Sequence, residues 1–175
     1  MKHQLIHWLR EAYAMERQSI EVLERQQDLA RGDVILMKRL GFHLIETRDQ
    51  AEKLRLCLEN LGSHAEGIRM GLSRLVGNMH AISAAVGADD KVKSIIINAI
   101  FEKFEIGCYE ALIVAAEEAD EPEVAELCRD LQAQERTMER WLDDHLQSVA
   151  HEFLRMRNIA ALTRHAQHAA QQGRA

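Results

Sequence analysis

From Leu5 to Arg157 apolar residues recur every three or four positions through four long stretches, and each stretch carries an acidic residue on or beside its apolar face. A repeat of that period and length commits the chain to amphipathic helices that bury one face against each other. A carboxylate on the inward face is costly unless a proton, a hydrogen bond or a cation accompanies it. Fold and chemistry are therefore read from the same pattern.

The first helix is expected over about Leu5–Leu29, with an inward stripe of Leu5, Leu9, Ala12, Ile20, Leu23 and Ala30 and with Glu16 at its centre. "ARGD" ends it, with Gly32 as punctuation and Asp33 as the cap of a second helix over about Val34–Leu61. There Glu46 borders the stripe of Leu44, Ala51, Leu54 and Leu58, beside His43 and Gln50. A third helix is expected over about Lys91–Ala119, where Glu105 is central among Phe101, Cys108, Leu112, Ala116 and Ala119, with Tyr109 one turn on. Pro122, the chain's single proline, suits the first turn of a fourth helix over about Glu123–Arg157. Its stripe of Val124, Cys128, Leu131, Met138, Leu142 and Leu146 surrounds Glu135.

Short loops make two antiparallel hairpins. The connection between them, Ser63–Val86, has helical composition broken by glycines and is long enough to cross the bundle. The expectation is an all-α, ferritin-like four-helix bundle of two antiparallel hairpins with an extra crossover helix. Residues 1–157 would form this domain, and residues 158–175, polar and rich in small residues, a flexible C-terminal tail.

Glu46 follows Glu16 by 30 residues, and Glu135 follows Glu105 by 30. Gln50 and Glu139 each follow the acidic residue of their helix by four. This looks like a duplicated hairpin that would bring four carboxylates to one depth. Protonation is one escape from their repulsion, and cations are the other. Inward positive side chains are scarce, so two divalent ions would balance four carboxylates, as in di-iron bundles. Oxygen-rich ligation suits iron or manganese, and His43, which shares a face with Glu46, offers an imidazole. Gln50 and Glu139 would complete or orient the site, Glu102 flanks Glu105 as a further candidate, and Tyr109 is a hydrogen-bond donor or a packing residue. Singly, each of these has an ordinary structural reading: an inward Glu is commonly hydrogen-bonded, and a core His commonly packs.

A net charge of −6 argues against nucleic-acid binding. No apolar run reaches membrane-span length, and the N-terminus lacks a signal-peptide core, so the chain reads as cytoplasmic. Cys57, Cys108 and Cys128 show no zinc-like spacing and read as small buried thiols.

The stretches "HLIETRDQAEKL", "FEKFEIGCYEAL" and "LQAQERTMERWL", with a looser match at "EAYAMERQSIEVLERQ", resemble the YciE/YciF family of bacterial ferritin-like proteins over roughly residues 5–155. The resemblance implies a four-helix core with a crossover helix, a homodimer, a di-iron site with Glu16, Glu46, Glu105 and Glu135 as core carboxylates, and a link to stress responses. Ferroxidase activity is the enzymatic function it suggests. A non-catalytic oligomeric or partner-binding helical module with a vestigial site is the alternative. Where di-iron relatives place His three residues after the second- and fourth-helix Glu, this chain has Asp49 and Met138. Lys103 and "QER" also depart from the family's usual pattern.

Overall fold

The computed structural model describes residues 1–64 and 91–172. Four helices order the described chain: α1 (Lys2–Leu29), α2 (Val34–Asn60), α3 (Lys91–Glu118) and α4 (Pro122–Gln172), with a 3-10 turn at Ala30–Gly32 after α1. The architecture is all-α, as the periodicity requires. The crossover helix expected within Ser63–Val86 lies outside the described residues, apart from its first positions.

Local chemistry sets the helix ends. The Asp33 carboxylate accepts the amides of Ile35 and Leu36 at 3.2 and 3.0 Å, satisfying two of the free N–H groups of α2. At the other end of α2, Gly62 takes φ 73°, its N–H reaches Glu59 O at 2.9 Å, and Ser63 N–H reaches Leu58 O at 2.9 Å. That is a Schellman closure, which favours glycine at the left-handed position. The α3–α4 turn closes in the same way around Asp120, which holds φ 56° without being glycine. Gly32, expected to stop α1, shows no left-handed φ; the 3-10 turn does that work.

α1 packs along α2 and α3 along α4, and the two hairpins meet through α1 on α3 and α2 on α4. At one end of the bundle Lys2 meets Glu121 at 2.6 Å and Arg10 meets the carbonyl of His64 at 3.1 Å. At the other end Asp33 lies 4.0 Å from Lys91 and 3.7 Å from His145. Thus α2 ends and α3 begins at opposite ends of the bundle, the one-crossover arrangement.

α4 has 51 residues against 27 or 28 in its neighbours, about 77 Å at 1.5 Å per residue. It passes the Asp33 end near His145, and its residues 151–160 are exposed. The fourth helix, expected to end near Arg157, runs on to Gln172.

Two apolar clusters fill the bundle. Leu5, Leu9, Leu54, Leu58, Leu112 and Leu131 belong to the one at the Lys2 end. Leu23, Leu36, Leu40, Ile95, Met138 and Leu142 belong to the other. Buried polar side chains gather where the two meet: Glu16, Ser19, His43, Gln50, Asn98, Glu102, Glu105 and Glu135. Cys57 and Cys128 are buried and Cys108 half-buried, all as free thiols.

Candidate metal centre

Each helix contributes to this polar layer. α1 brings Glu16 and Ser19, α2 His43 and Gln50, α3 Glu102 and Glu105, and α4 Glu135. A spacing of three residues in α1 and α3, and of seven, two turns, in α2, keeps each pair on one helix face, and the flanking leucines turn those faces inward. Ligand atoms of His43, Glu102, Glu105 and Glu135 all lie within 4.8 Å of one another, and all four residues are buried. This His/Glu group can hold a metal ion.

The imidazole is central. His43 Nε2 lies 3.2 Å from Glu102 Oε2 and 3.4 Å from Glu135 Oε2, while Nδ1 lies 3.2 Å from Glu46 Oε2. Around them donors hold one oxygen of each of three carboxylates: Tyr109 Oη donates to Glu16 Oε1 at 2.6 Å, Ser19 to Glu105 Oε1, and Gln50 to Glu135 Oε1. Gln50 also donates to Gln134 Oε1 at 3.0 Å.

Other oxygens are left over. Glu16 Oε2, Gln50 Oε1, Glu102 Oε2 and Glu135 Oε2 are buried without a hydrogen bond. The ion-pair distances from His43 to Glu102 and Glu135 do not remove this deficit, because a single N–H cannot be aligned on both oxygens. Buried acceptors without partners are uncommon in folded proteins and call for a missing cation, proton or water. Ser19, His43, Asn98, Glu102 and Glu105 line part of an adjoining void of about 10 Å³, the scale of one water-sized sphere. The donor set is hard oxygen with one imidazole, which fits iron or manganese better than soft-ligand metals.

Electrostatics express the same deficit. Burial, then the charges of Glu105 and Glu135, hold the Glu16 carboxyl well above the usual range. Burial and Glu135 push Glu105 up to about 8. Burial and Glu102 raise Glu135. Burial disfavours a charged His43, but Glu102, Glu46 and Glu135 outweigh it and raise the imidazole well above its ordinary value. Without a cation, the layer retains protons.

Not every sequence candidate enters the layer. Glu16, Glu105 and Glu135 are buried. Glu46 is a correction to the picture of four converging carboxylates: its side chain is 36% exposed and lies on the outer side of His43, with Arg39 Nη1 at 3.8 Å. The buried stripe of α2 runs through Leu36, Leu40, His43, Thr47, Gln50 and Leu54. At 100° per residue Glu46 is roughly 60° off His43, toward solvent. Glu102 stands inside instead. Glu139 is likewise displaced: it pairs with Lys103 at the surface. Ser19 and Asn98 escaped the sequence reading, although Ser19 lies on the same stripe as Glu16 and Asn98 one turn before Glu102.

Among the described residues no helix is long and apolar enough to cross a membrane. A family model described as "Domain of unknown function (DUF892)" matches residues 1–155. A solved protein of Xanthomonas campestris pv. campestris is 30% identical, with a TM-score of 0.74, covering 90% of this chain and 98% of its own. YcfI of Rhodopseudomonas palustris is 24% identical, with a TM-score of 0.71, over 82% of this chain and 93% of its own. The E. coli stress protein YciF is 19% identical, with a TM-score of 0.72, over 83% of this chain and 94% of its own.

Proposed function

We propose that this chain, which belongs to the DUF892 family, is a ferritin-like iron-oxidising protein whose buried His/Glu layer receives ferrous iron, with manganese as the competing ion. The observation that carries the reading is the convergence of His43, Glu102, Glu105 and Glu135 within 4.8 Å, next to buried carboxyl and amide oxygens that lack hydrogen bonds. His43 Nε2, Glu102, Glu105 and Glu135 would hold one ion. Glu16 Oε2 and Gln50 Oε1, with the shared Glu105 and Glu135, would serve a second.

The reaction is the oxidation of two ferrous ions, each losing one electron, by one hydrogen peroxide. The O–O bond breaks, two protons are taken up and two waters leave. This chain's part is to bind the substrate ions, to exclude bulk water through the two leucine-rich clusters, and to hold charge in a medium where carboxylates attract cations strongly. A role in limiting iron and peroxide under stress follows from that chemistry, and the fold shared with the stress protein YciF is in keeping with it. The same reading includes a homodimer, supported by exposed Val34, Ile35, Phe42 and Ile45 on α2, with sedimentation as its test.

Protein purified without chelator is to be assayed for bound metal, then given ferrous iron anaerobically and mixed with peroxide or air. A near-ultraviolet rise faster than the buffer blank, lost in Glu135→Ala, supports the oxidase. Stoichiometric metal without a faster rise leaves a binding protein. No metal at all returns the layer to a proton-sharing structural cluster, the non-catalytic reading that Tyr109, Ser19 and Gln50 also accommodate.

A further inference from the structure

We propose that Glu46 is a positioning residue that acts through His43, fixing the imidazole so that Nε2, and not Nδ1, is the metal-binding nitrogen. The inference rests on the metal-centre reading and assigns Glu46 a place outside the ligand set.

His43 meets carboxylate oxygens on both edges of its ring, Glu46 at Nδ1 and Glu102 with Glu135 at Nε2. A neutral imidazole carries one N–H and one lone pair. A cation at the inner edge takes the lone pair of Nε2, so the remaining proton resides on Nδ1 and needs an acceptor. Glu46 Oε2, 3.2 Å away, is that acceptor. The two residues lie three apart on α2, so helix geometry maintains the contact without help from another element. Thr47 Oγ1 donates to the His43 carbonyl at 2.9 Å, a bond that occupies the backbone and leaves the ring to Glu46. Arg39 Nη1, 3.8 Å from Glu46 Oε2, restrains the carboxylate from its outer side. Carboxylate, imidazole and metal in line is the arrangement by which an outer carboxylate sets ring orientation and ligand basicity.

The arrangement also accounts for two sequence features. Glu46 borders the buried stripe because its partner is the far edge of a buried ring, not an ion. Asp49, three residues further on, is paired with Lys53 at 2.7 Å on the surface, so no second imidazole from α2 takes the place of His43.

The test uses the full chain, stripped with chelator and loaded with cadmium-113 after histidine nitrogen-15 labelling. One-bond coupling identifies the bound ring nitrogen, and competition with a chelator gives the affinity for wild type, Glu46→Gln and Glu46→Ala. Coupling to His43 Nε2 is expected. Glu46→Ala is expected to weaken binding about 10–100-fold, with Glu46→Gln, whose amide oxygen still accepts from Nδ1–H, retaining most of the affinity. Glu46 is partly exposed and alanine favours helices, so both variants keep the fold. Coupling through Nδ1, an unchanged affinity in Glu46→Ala, or equal losses in the Gln and Ala variants would each overturn the positioning role, the last by reducing it to loss of charge. Failure of the wild type to bind cadmium would overturn the metal centre itself.

Discussion

Tyr109 donates its phenolic hydrogen to Glu16 Oε1 across 2.6 Å, and both side chains are closed to solvent. Burial, then the Glu16 charge, holds the phenol well above its usual pKa, so it remains a donor at any ordinary pH. The bond ties α1 to α3 at the depth of the polar layer. Tyr109→Phe would leave both Glu16 oxygens without a donor, since Oε2 has none already. The expected loss is about 1–3 kcal/mol in metal-free protein. A urea titration reads it as a lower midpoint with an unchanged slope. An unshifted midpoint would show that Glu16 finds another donor.

The layer makes stability fall with rising pH when metal is removed. Glu16, Glu105 and Glu135 have raised pKa values in the fold, as does His43. Such groups bind protons in the native state that the unfolded chain has released, so the stability they confer is complete below their unfolded values and drains as pH passes the folded ones. For Glu105 the window runs from an ordinary glutamate value near 4.3 up to about 8. Melting temperature in excess chelator should therefore decline steadily across this range. A flat or rising profile would mean that the carboxylates are ionised and compensated in some other way.

Metal and proton compete for the same oxygens, so Glu135→Gln should have opposite effects in the two states. In chelator above neutral pH the amide is neutral without taking up the proton that buried Glu135 requires, its oxygen still accepts from Gln50, and the variant should be more stable by about 1 kcal/mol. With manganous ion at a hundred times the dissociation constant the wild type should gain about 2.7 kcal/mol and the variant much less. Paired thermal melts with and without manganese decide it. Equal metal-induced shifts would place the ion away from Glu135.

Features set by neighbouring residues were legible in the sequence. Asp33 caps α2 and Pro122 opens α4, because each depends on backbone groups a few positions away. Glu16, Glu105 and Glu135 were legible for a related reason: a carboxylate in the middle of an apolar stripe has nowhere to go but inward. The choice between Glu46 and Glu102 was not local. Both flank a stripe, and which flank meets the layer is decided by how α2 and α3 rotate against the other helices. The matched 30-residue spacings pointed to Glu46, yet the pairing across the layer is made by His43. Past Arg157 the chain lacks a long apolar stripe, but Ala, Gln and Arg are strong helix formers, and α4 continues through them.

Asp120 occupies a position built for glycine. Its φ of 56° closes α3, with Asp120 N–H on Glu117 O at 3.2 Å and Glu121 N–H on Ala116 O at 3.0 Å, just as Gly62 closes α2. An L-residue in the left-handed region costs roughly 1–2 kcal/mol, somewhat less for aspartate, whose short polar chain tolerates it. Against this, glycine loses more backbone entropy on folding, by roughly 0.5–1 kcal/mol. The strain should exceed that entropy here, because the two amide bonds that close the turn hold Asp120 at the left-handed φ. Asp120→Gly should accordingly stabilise the protein by up to about 1 kcal/mol, read as a higher urea midpoint in both the presence and absence of metal, since the turn lies at the Lys2–Glu121 end and not in the polar layer. A lower midpoint would mean that the aspartate side chain contributes more to the turn than its backbone angle costs.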